Sequence, residues 1–286
     1  MRPPKFTPPP GACDSHIHVY GDRSRFPWRP VHGREMEHHY LNGYIAVRDA
    51  LGLSRTVIIQ TPHYGTDNRS MLASIATLGQ ERARGIAITE PDVSEAELNA
   101  LHAAGVRGLR FGTELVRGMR PKHLEEVAAR VAPLGWHIQY RSTEEDLPDL
   151  ADRIGRLPVD VVLDHIASIP PELGMEHLAF TAMMRLIDGG QCWVKLSAAY
   201  QLSKSGAPDY ADYRPFARAL VAAAPERMLW GTNWPHPKVD FMPDDTDLLE
   251  TMLDWVDDDA TRSQVLTDNP AKLYGFEPIA RKCINE

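Results

Sequence analysis

Short apolar runs rich in Val, Ile and Leu recur along the chain, separated by longer segments whose apolar positions return every three or four residues. A parallel strand buried on both faces reads as a continuous apolar run, whereas an amphipathic helix carries the 3.6-residue period. Eight runs have strand character: "ACDSHIHV" (12–19), "RTVIIQT" (55–61), "GIAIT" (85–89), "VRGLRF" (106–111), "WHIQYR" (136–141), "VDVVLDH" (159–165), "CWVKLS" (192–197) and "MLWGTN" (228–233). Helical spacing follows in "NRSMLASIATLGQERA", "VSEAELNALHAAG", "PKHLEEVAARVAPLG" and "DYRPFARALVAAAPER". Ser94 with Glu97 resembles a capping box, and Gly105 and Gly135 stand where helices end. Strand and helix alternating eight times predict an α/β fold of the TIM type, a (β/α)8 barrel rather than a doubly wound sheet.

That barrel is expected to occupy residues 12–286 as one domain. An extended arm, residues 1–11, precedes it, with five prolines in its first ten residues leaving little room for helix. The irregular stretch from about residue 20 to residue 40 is long for a connection, and its place after the first strand makes it a candidate cover for a site.

Composition narrows the function classes. With 286 residues, 43% hydrophobic and 24% charged, the chain can bury a large core. A net charge of −8 argues against a nucleic-acid partner, which needs clustered Lys and Arg. Neither a signal-like apolar segment nor a membrane-length one is present, so no membrane partner is expected. Cys13, Cys192 and Cys283 are widely spaced with no CxxC pair, which fits a reduced, cytoplasmic setting. Oligomeric state is not legible.

In a barrel enzyme, catalytic groups sit at the C-terminal ends of strands. Those ends collect His16 and His18, His63, Arg110, Tyr140 with Arg141, His165, Ser197, and Asn233 with His236. His16 and His18 are two apart, so both point to one face, either as a metal pair or as hydrogen-bonded imidazoles of a polar mouth. Alternation sets Asp164 and His165 on opposite faces; His165 is assigned inward, with Asp164 behind it. Arg110 offers a planar fork suited to a carboxylate, with Arg117 and Arg120 following in the loop. Thr66, Asp67 and Asn68 are ordinary helix-capping residues.

Taken together, "DSHIHVY", "TPHYGTDN", "GLRF", "LDH", "WGTNWPHP" and "DNPAKLYGF" resemble the amidohydrolase superfamily, in its branch of 2-pyrone-4,6-dicarboxylate hydrolases and related lactone-processing enzymes. The resemblance covers the chain beyond its arm. It implies a small anionic, carboxylated lactone as substrate, histidines and arginines holding its carbonyl and carboxylates, and an aspartate at the end of the eighth strand that activates water. That position is Asn233 here, and an amide cannot take a proton. "WGTNWPH" is also similar to D-galactarolactone isomerase, in which a substrate hydroxyl is the nucleophile.

The first expectation is ring-opening hydrolysis, with His16, His18 and His165 polarising the carbonyl, Asn233 holding the attacking oxygen and His236 as proton acceptor. His63, Arg110, Tyr140 and Ser197 would bind the substrate. Alternatives are a lactone isomerase, or a barrel that binds its ligand without turnover after an Asp→Asn exchange. No cofactor is expected to be required; the alternative is a divalent metal, zinc, on His16, His18 and His165.

Overall fold

The computed structural model describes residues 1–31, 37–112, 119–237, 239 and 241–277. Eight parallel strands follow one another in sequence order. They are β1 (Cys13–Ile17), β2 (Arg55–Ile59), β3 (Ala83–Ala87), β4 (Val106–Gly112), β5 (His137–Arg141), β6 (Val161–Leu163), β7 (Cys192–Ser197) and β8 (Met228–Gly231). The ring closes where Ile17 bridges Trp234, the His18 N–H donates to the Trp234 carbonyl at 2.8 Å, and the Asn233 N–H donates to that of His16 at 2.9 Å. The (β/α)8 barrel read from the apolar periodicity is therefore the fold.

Helices α1 (Leu41–Leu51), α2 (Arg69–Leu78), α3 (Glu95–Ala103), α4 (Leu124–Val131), α5 (Leu147–Ile154), α6 (Leu178–Asp188), α7 (Arg214–Ala223) and α8 (Asp245–Trp255) surround the ring. Local chemistry sets their ends. Ser94 Oγ accepts the Glu97 N–H at 3.2 Å at the start of α3, and Gly105 and Gly135 are left-handed at φ 98° and 66°. Asn68, read as a cap, instead staples the loop after β2 to the end of β3, donating to the Ile88 carbonyl and accepting its N–H.

Two apolar layers result. One fills the space between strands and helices; the other closes the barrel floor, where Tyr274 and Phe276 pack against Cys13, Val57, Ile86, Trp193 and Leu229. Those two aromatics belong to "DNPAKLYGF", and Asn269 of the same segment donates to the Pro225 and Met228 carbonyls, both at 2.7 Å. Arg84 holds the Tyr274 and Gly275 carbonyls from β3. The N-terminal arm lies against α8, where Arg2 meets Asp247 at 2.6 Å and Glu250 at 2.8 Å. Arg117 and Cys283 fall outside the described residues. No described helix is long and apolar enough to cross a membrane.

Candidate active site

The register between β1 and β2 shifts between Asp14 and Ile17, and this irregularity sets the first imidazoles. Asp14 is turned out of the barrel onto β8, accepting the Thr232 N–H at 3.0 Å and its hydroxyl at 2.7 Å. His16 and His18 are turned inward, rings edge to face at 5.0 Å, as their two-residue spacing implies. Gly231 makes this possible: a Cβ there would lie 2.7 Å from the His16 backbone nitrogen.

Lys195 lies at the centre of the site, inside the apolar run "CWVKLS", and was not among the residues expected there. Its side chain is fully buried, with Nζ 2.8 Å from Gln139 Oε1, 3.2 Å from His16 Nδ1 and 3.5 Å from Asp164 Oδ1. The signal was present in the sequence: Lys195 shares strand parity with Ser197, and a lysine in an otherwise apolar strand needs a buried partner. Burial lowers the Lys195 ammonium to about 8, opposed by the Asp164 charge. Burial works against the Asp164 carboxylate as well, but the facing His16 and Lys195 outweigh it and hold Asp164 below the usual carboxylate range.

Burial is the main cause lowering all three imidazoles, followed by Lys195 at His16 and by the neighbouring His16 at the other two: His16 falls to about 3, His18 and His165 well below the usual value. They are neutral near pH 7, so each has one donor and one acceptor nitrogen. Lys195 donates to His16 Nδ1, which places the His16 proton on Nε2, a buried atom with no protein partner. His18 Nδ1 meets the Ile59 carbonyl at 2.8 Å and must carry its proton there, leaving Nε2 as an acceptor. His16 thus presents a donor nitrogen and His18 an acceptor nitrogen. His165 Nδ1 pairs with Ser197 Oγ at 2.8 Å.

The placement of Asp164 departs from strand alternation. β6 ends at Leu163 and His165 is left-handed at φ 57°, so consecutive side chains no longer alternate and both Asp164 and His165 face the cluster. Donor atoms of His16, Asp164 and His165 lie within 4.8 Å of one another, all buried. Two neutral imidazoles and an ionised carboxylate suit a divalent ion, zinc included. Asp164 takes the place of His18 in the expected ligand set; His18 keeps its Nδ1 on the Ile59 carbonyl and lies outside this group. The expectation that no cofactor is required finds no support in this donor set. Lys195 contacts two of these three residues, His16 and Asp164, so an ion held here would have to share them with the ammonium.

At the end of β8, Asn233 is left-handed at φ 62°, a conformation Asn tolerates better than most residues. Its Nδ2 donates to the Tyr200 hydroxyl at 2.8 Å, and its Oδ1 is buried without a protein partner. His236, also left-handed, stacks edge-on against Tyr200 at 5.2 Å. Its Nε2 is 3.0 Å from Asp245 Oδ1 at the start of α8, close enough to bond after a small ring rotation, since the angles are not yet those of a hydrogen bond. Asp245 and Tyr200 were not anticipated; "PDDTDLLE" reads as a helix start, and nothing local marks one of its acids as buried.

Around the mouth, buried Arg110 donates from Nη1 to the Gln60 carbonyl at 2.9 Å. His63 Nδ1 contacts the Thr61 hydroxyl at 3.0 Å and the Tyr20 hydroxyl at 3.2 Å. Tyr20 packs with Trp28 and Tyr64, so the loop after β1 covers this side. Tyr140 is not brought to the cluster. Gln139 and Arg141 take the inward face of β5, and Tyr140 packs outward in the layer beneath the helices. Arg120 is exposed on the loop after β4.

Neutral imidazoles, a buried carboxylate and cations thus gather at the C-terminal mouth of a (β/α)8 barrel, where enzymes of this fold place their catalytic groups. Residues 13–276 match the amidohydrolase family model. A 2-pyrone-4,6-dicarboxylate hydrolase of Comamonas testosteroni is 37% identical over 96% of this chain and 94% of its own. D-Galactarolactone isomerase of Agrobacterium fabrum is 31% identical over 95% and 93%. An apo crystal structure from Agrobacterium tumefaciens superposes with a TM-score of 0.89 at 30% identity, covering 98% of this chain and 99% of that one. With residues 13–276 matched by the family model and nearly its whole length shared with a relative at 37% identity, the chain belongs to the amidohydrolase family.

Proposed function

We propose that this enzyme opens a small carboxylated lactone by hydrolysing the ring ester, with the His236 and Asp245 pair supplying the base that Asn233 cannot. The observation that carries the reading is the 3.0 Å approach of His236 Nε2 to Asp245 Oδ1, beside an amide that has no proton-accepting role. With Nε2–H facing Asp245, His236 Nδ1 bears the lone pair.

His16 Nε2–H donates to the lactone carbonyl and stabilises the charge that develops on its oxygen. Asn233 Oδ1 accepts a hydrogen bond from the attacking water, whose other proton passes to His236 Nδ1. The water oxygen bonds to the carbonyl carbon, the ring C–O bond breaks, and the leaving oxygen takes up a proton to give the ring-opened acid. Arg110 holds a carboxylate, His63 and Ser197 orient the ring, and His18 Nε2 accepts from a substrate hydroxyl. A divalent ion on His16, Asp164 and His165, when bound, supplies Lewis-acid polarisation of the same carbonyl.

A second reading is favoured by Asn233 itself. Fixed by Tyr200 with Oδ1 unpartnered, it suits a substrate hydroxyl as nucleophile, the case of a lactone isomerase like the relative from A. fabrum.

Carboxylated lactones (pyrone dicarboxylate, muconolactones, aldarolactones) incubated in ¹⁸O-water separate the two. Labelled ring-opened acid, with a loss of about 10²- to 10⁴-fold in kcat on His236→Gln, is the expected result. An unlabelled rearranged lactone selects the isomerase, and turnover appearing only with Asn233→Asp means a barrel that binds without catalysis.

A further inference from the structure

β7 ends at Ser197, and the left-handed Ala198, at φ 55°, turns the chain into the short helical segment Ala199–Gln201. Tyr200 of that segment is buried against both residues that the lactone reading assigns to the attacking oxygen. Its hydroxyl accepts from Asn233 Nδ2 at 2.8 Å, and its ring meets His236 edge-on at 5.2 Å.

The Asn233 amide therefore serves two sides. In the lactone reading its Oδ1 holds the attacking oxygen, while Nδ2 holds the phenol. Attacking and leaving oxygens are borne by one carbon in the tetrahedral intermediate, so a group one amide away from the first lies beside the second. The Tyr200 oxygen already accepts from Asn233, which directs its own O–H to a different acceptor. Burial raises the phenol well above its ordinary range and keeps that proton in place near pH 7. The hydrogen bonds of Asn233 and Gln201, and the charge of Arg141, work the other way and favour the phenolate. A phenol in these surroundings is protonated at rest, and the anion it leaves behind on giving up its proton is stabilised by groups already in place.

We propose that Tyr200 is the general acid of ring opening, giving its proton to the ring oxygen as the acyl C–O bond breaks. This rests on the lactone reading above and adds the proton donor for its leaving oxygen. The protons balance: one from the attacking water goes to His236 Nδ1, the Tyr200 proton goes to the leaving oxygen, and once the ring-opened acid has departed the imidazolium returns a proton through solvent to the phenolate. An alkoxide is strongly basic and leaves slowly without such a donor, whereas a thiolate is far less basic and leaves without one.

A muconolactone or aldarolactone, whose ring oxygen leaves as an alkoxide, and its thiolactone counterpart, with sulfur in place of that oxygen, test this on the intact chain. Tyr200→Phe should lower kcat on the lactone by about 10²- to 10⁴-fold with KM changed less than about threefold, and should lower kcat on the thiolactone less than about threefold. Both rates are read on one sample, so their ratio is independent of the fraction of the variant that is folded. The exchange also removes the Asn233 contact, and a merely structural loss would fall on the two substrates alike. Equal losses on lactone and thiolactone, or no loss on the lactone, overturn the proposal and leave the lactone reading standing, as does turnover confined to pyrone dicarboxylate, whose ring oxygen leaves as an enolate. If the unmodified protein turns over no lactone at all, the reading and the proposal fall together.

Discussion

Lys195 Nζ lies 3.2 Å from His16 Nδ1 and 3.5 Å from Asp164 Oδ1, and all three side chains are closed to solvent. One cation therefore does two things at once: it compensates a buried carboxylate and fixes the tautomer of the His16 imidazole.

Removing it exposes both roles. Lys195→Met should destabilise the fold by about 3–5 kcal/mol, because Asp164 is left buried and uncompensated. Pairing the change with Asp164→Asn should recover much of that loss. Urea denaturation of the two single variants and the double variant checks this; additive losses would mean that the two charges do not sense each other.

The same geometry predicts a competition. If ammonium and metal ion share His16 and Asp164, Lys195→Met should bind zinc more tightly than the unmodified protein, and Asp164→Asn more weakly. Titration against a chromophoric chelator reads both affinities directly. Equal zinc affinity with and without Lys195 would place any metal elsewhere.

Gly231→Ala tests the closeness of the β8 to β1 seam. The added Cβ would meet the His16 nitrogen at 2.7 Å and the His16 Cβ at 2.9 Å, both too near. The strands must part, at about 1–3 kcal/mol. His16 moves with them, and a displacement near 1 Å at a reacting group lowers the rate by about 100-fold. Activity measured where the variant is still fully folded should fall that far, and near-normal activity would show that His16 is not part of the reacting constellation.

Eight strands were legible because parallel strands covered on both faces are written as unbroken apolar runs, a signal that the helices between them do not blur. The strand-end histidines were legible for the same reason, since polar residues at the end of such a run stand out. Parity was the weak step. At Asp164 and His165 the backbone turns left-handed, and local sequence does not announce where a strand gives up its alternation. At β5 the inward set was Gln139 and Arg141, not Tyr140; an aromatic hydroxyl looks more like a ligand contact than a glutamine does. Lys195 was marked by its place in an apolar run, but its partners were not, and Asp245 hid among the acids that start a helix, because each meets residues far away in the chain.

Phe276→Ala addresses the floor. Its ring is almost fully buried, with the Arg84 guanidinium 4.8 Å from its centre and that of Arg55 at 5.0 Å. A cavity there should cost about 3–5 kcal/mol, read as a lower urea midpoint, with little change in KM because the site is at the opposite end of the barrel. A large change in KM without loss of stability would mean that floor and mouth are coupled.

The seam between Ile17 and Trp234 also orders events during synthesis. β1 emerges early, yet the strand that completes it lies roughly two hundred residues further on, which at ribosomal speed is a wait of about 10–40 s. Throughout that interval the β1 edge that will carry His16 is an unpaired template, open to the wrong neighbour. Nascent chains stalled on either side of β8 should therefore differ sharply in protease resistance: the strand made first is protected last.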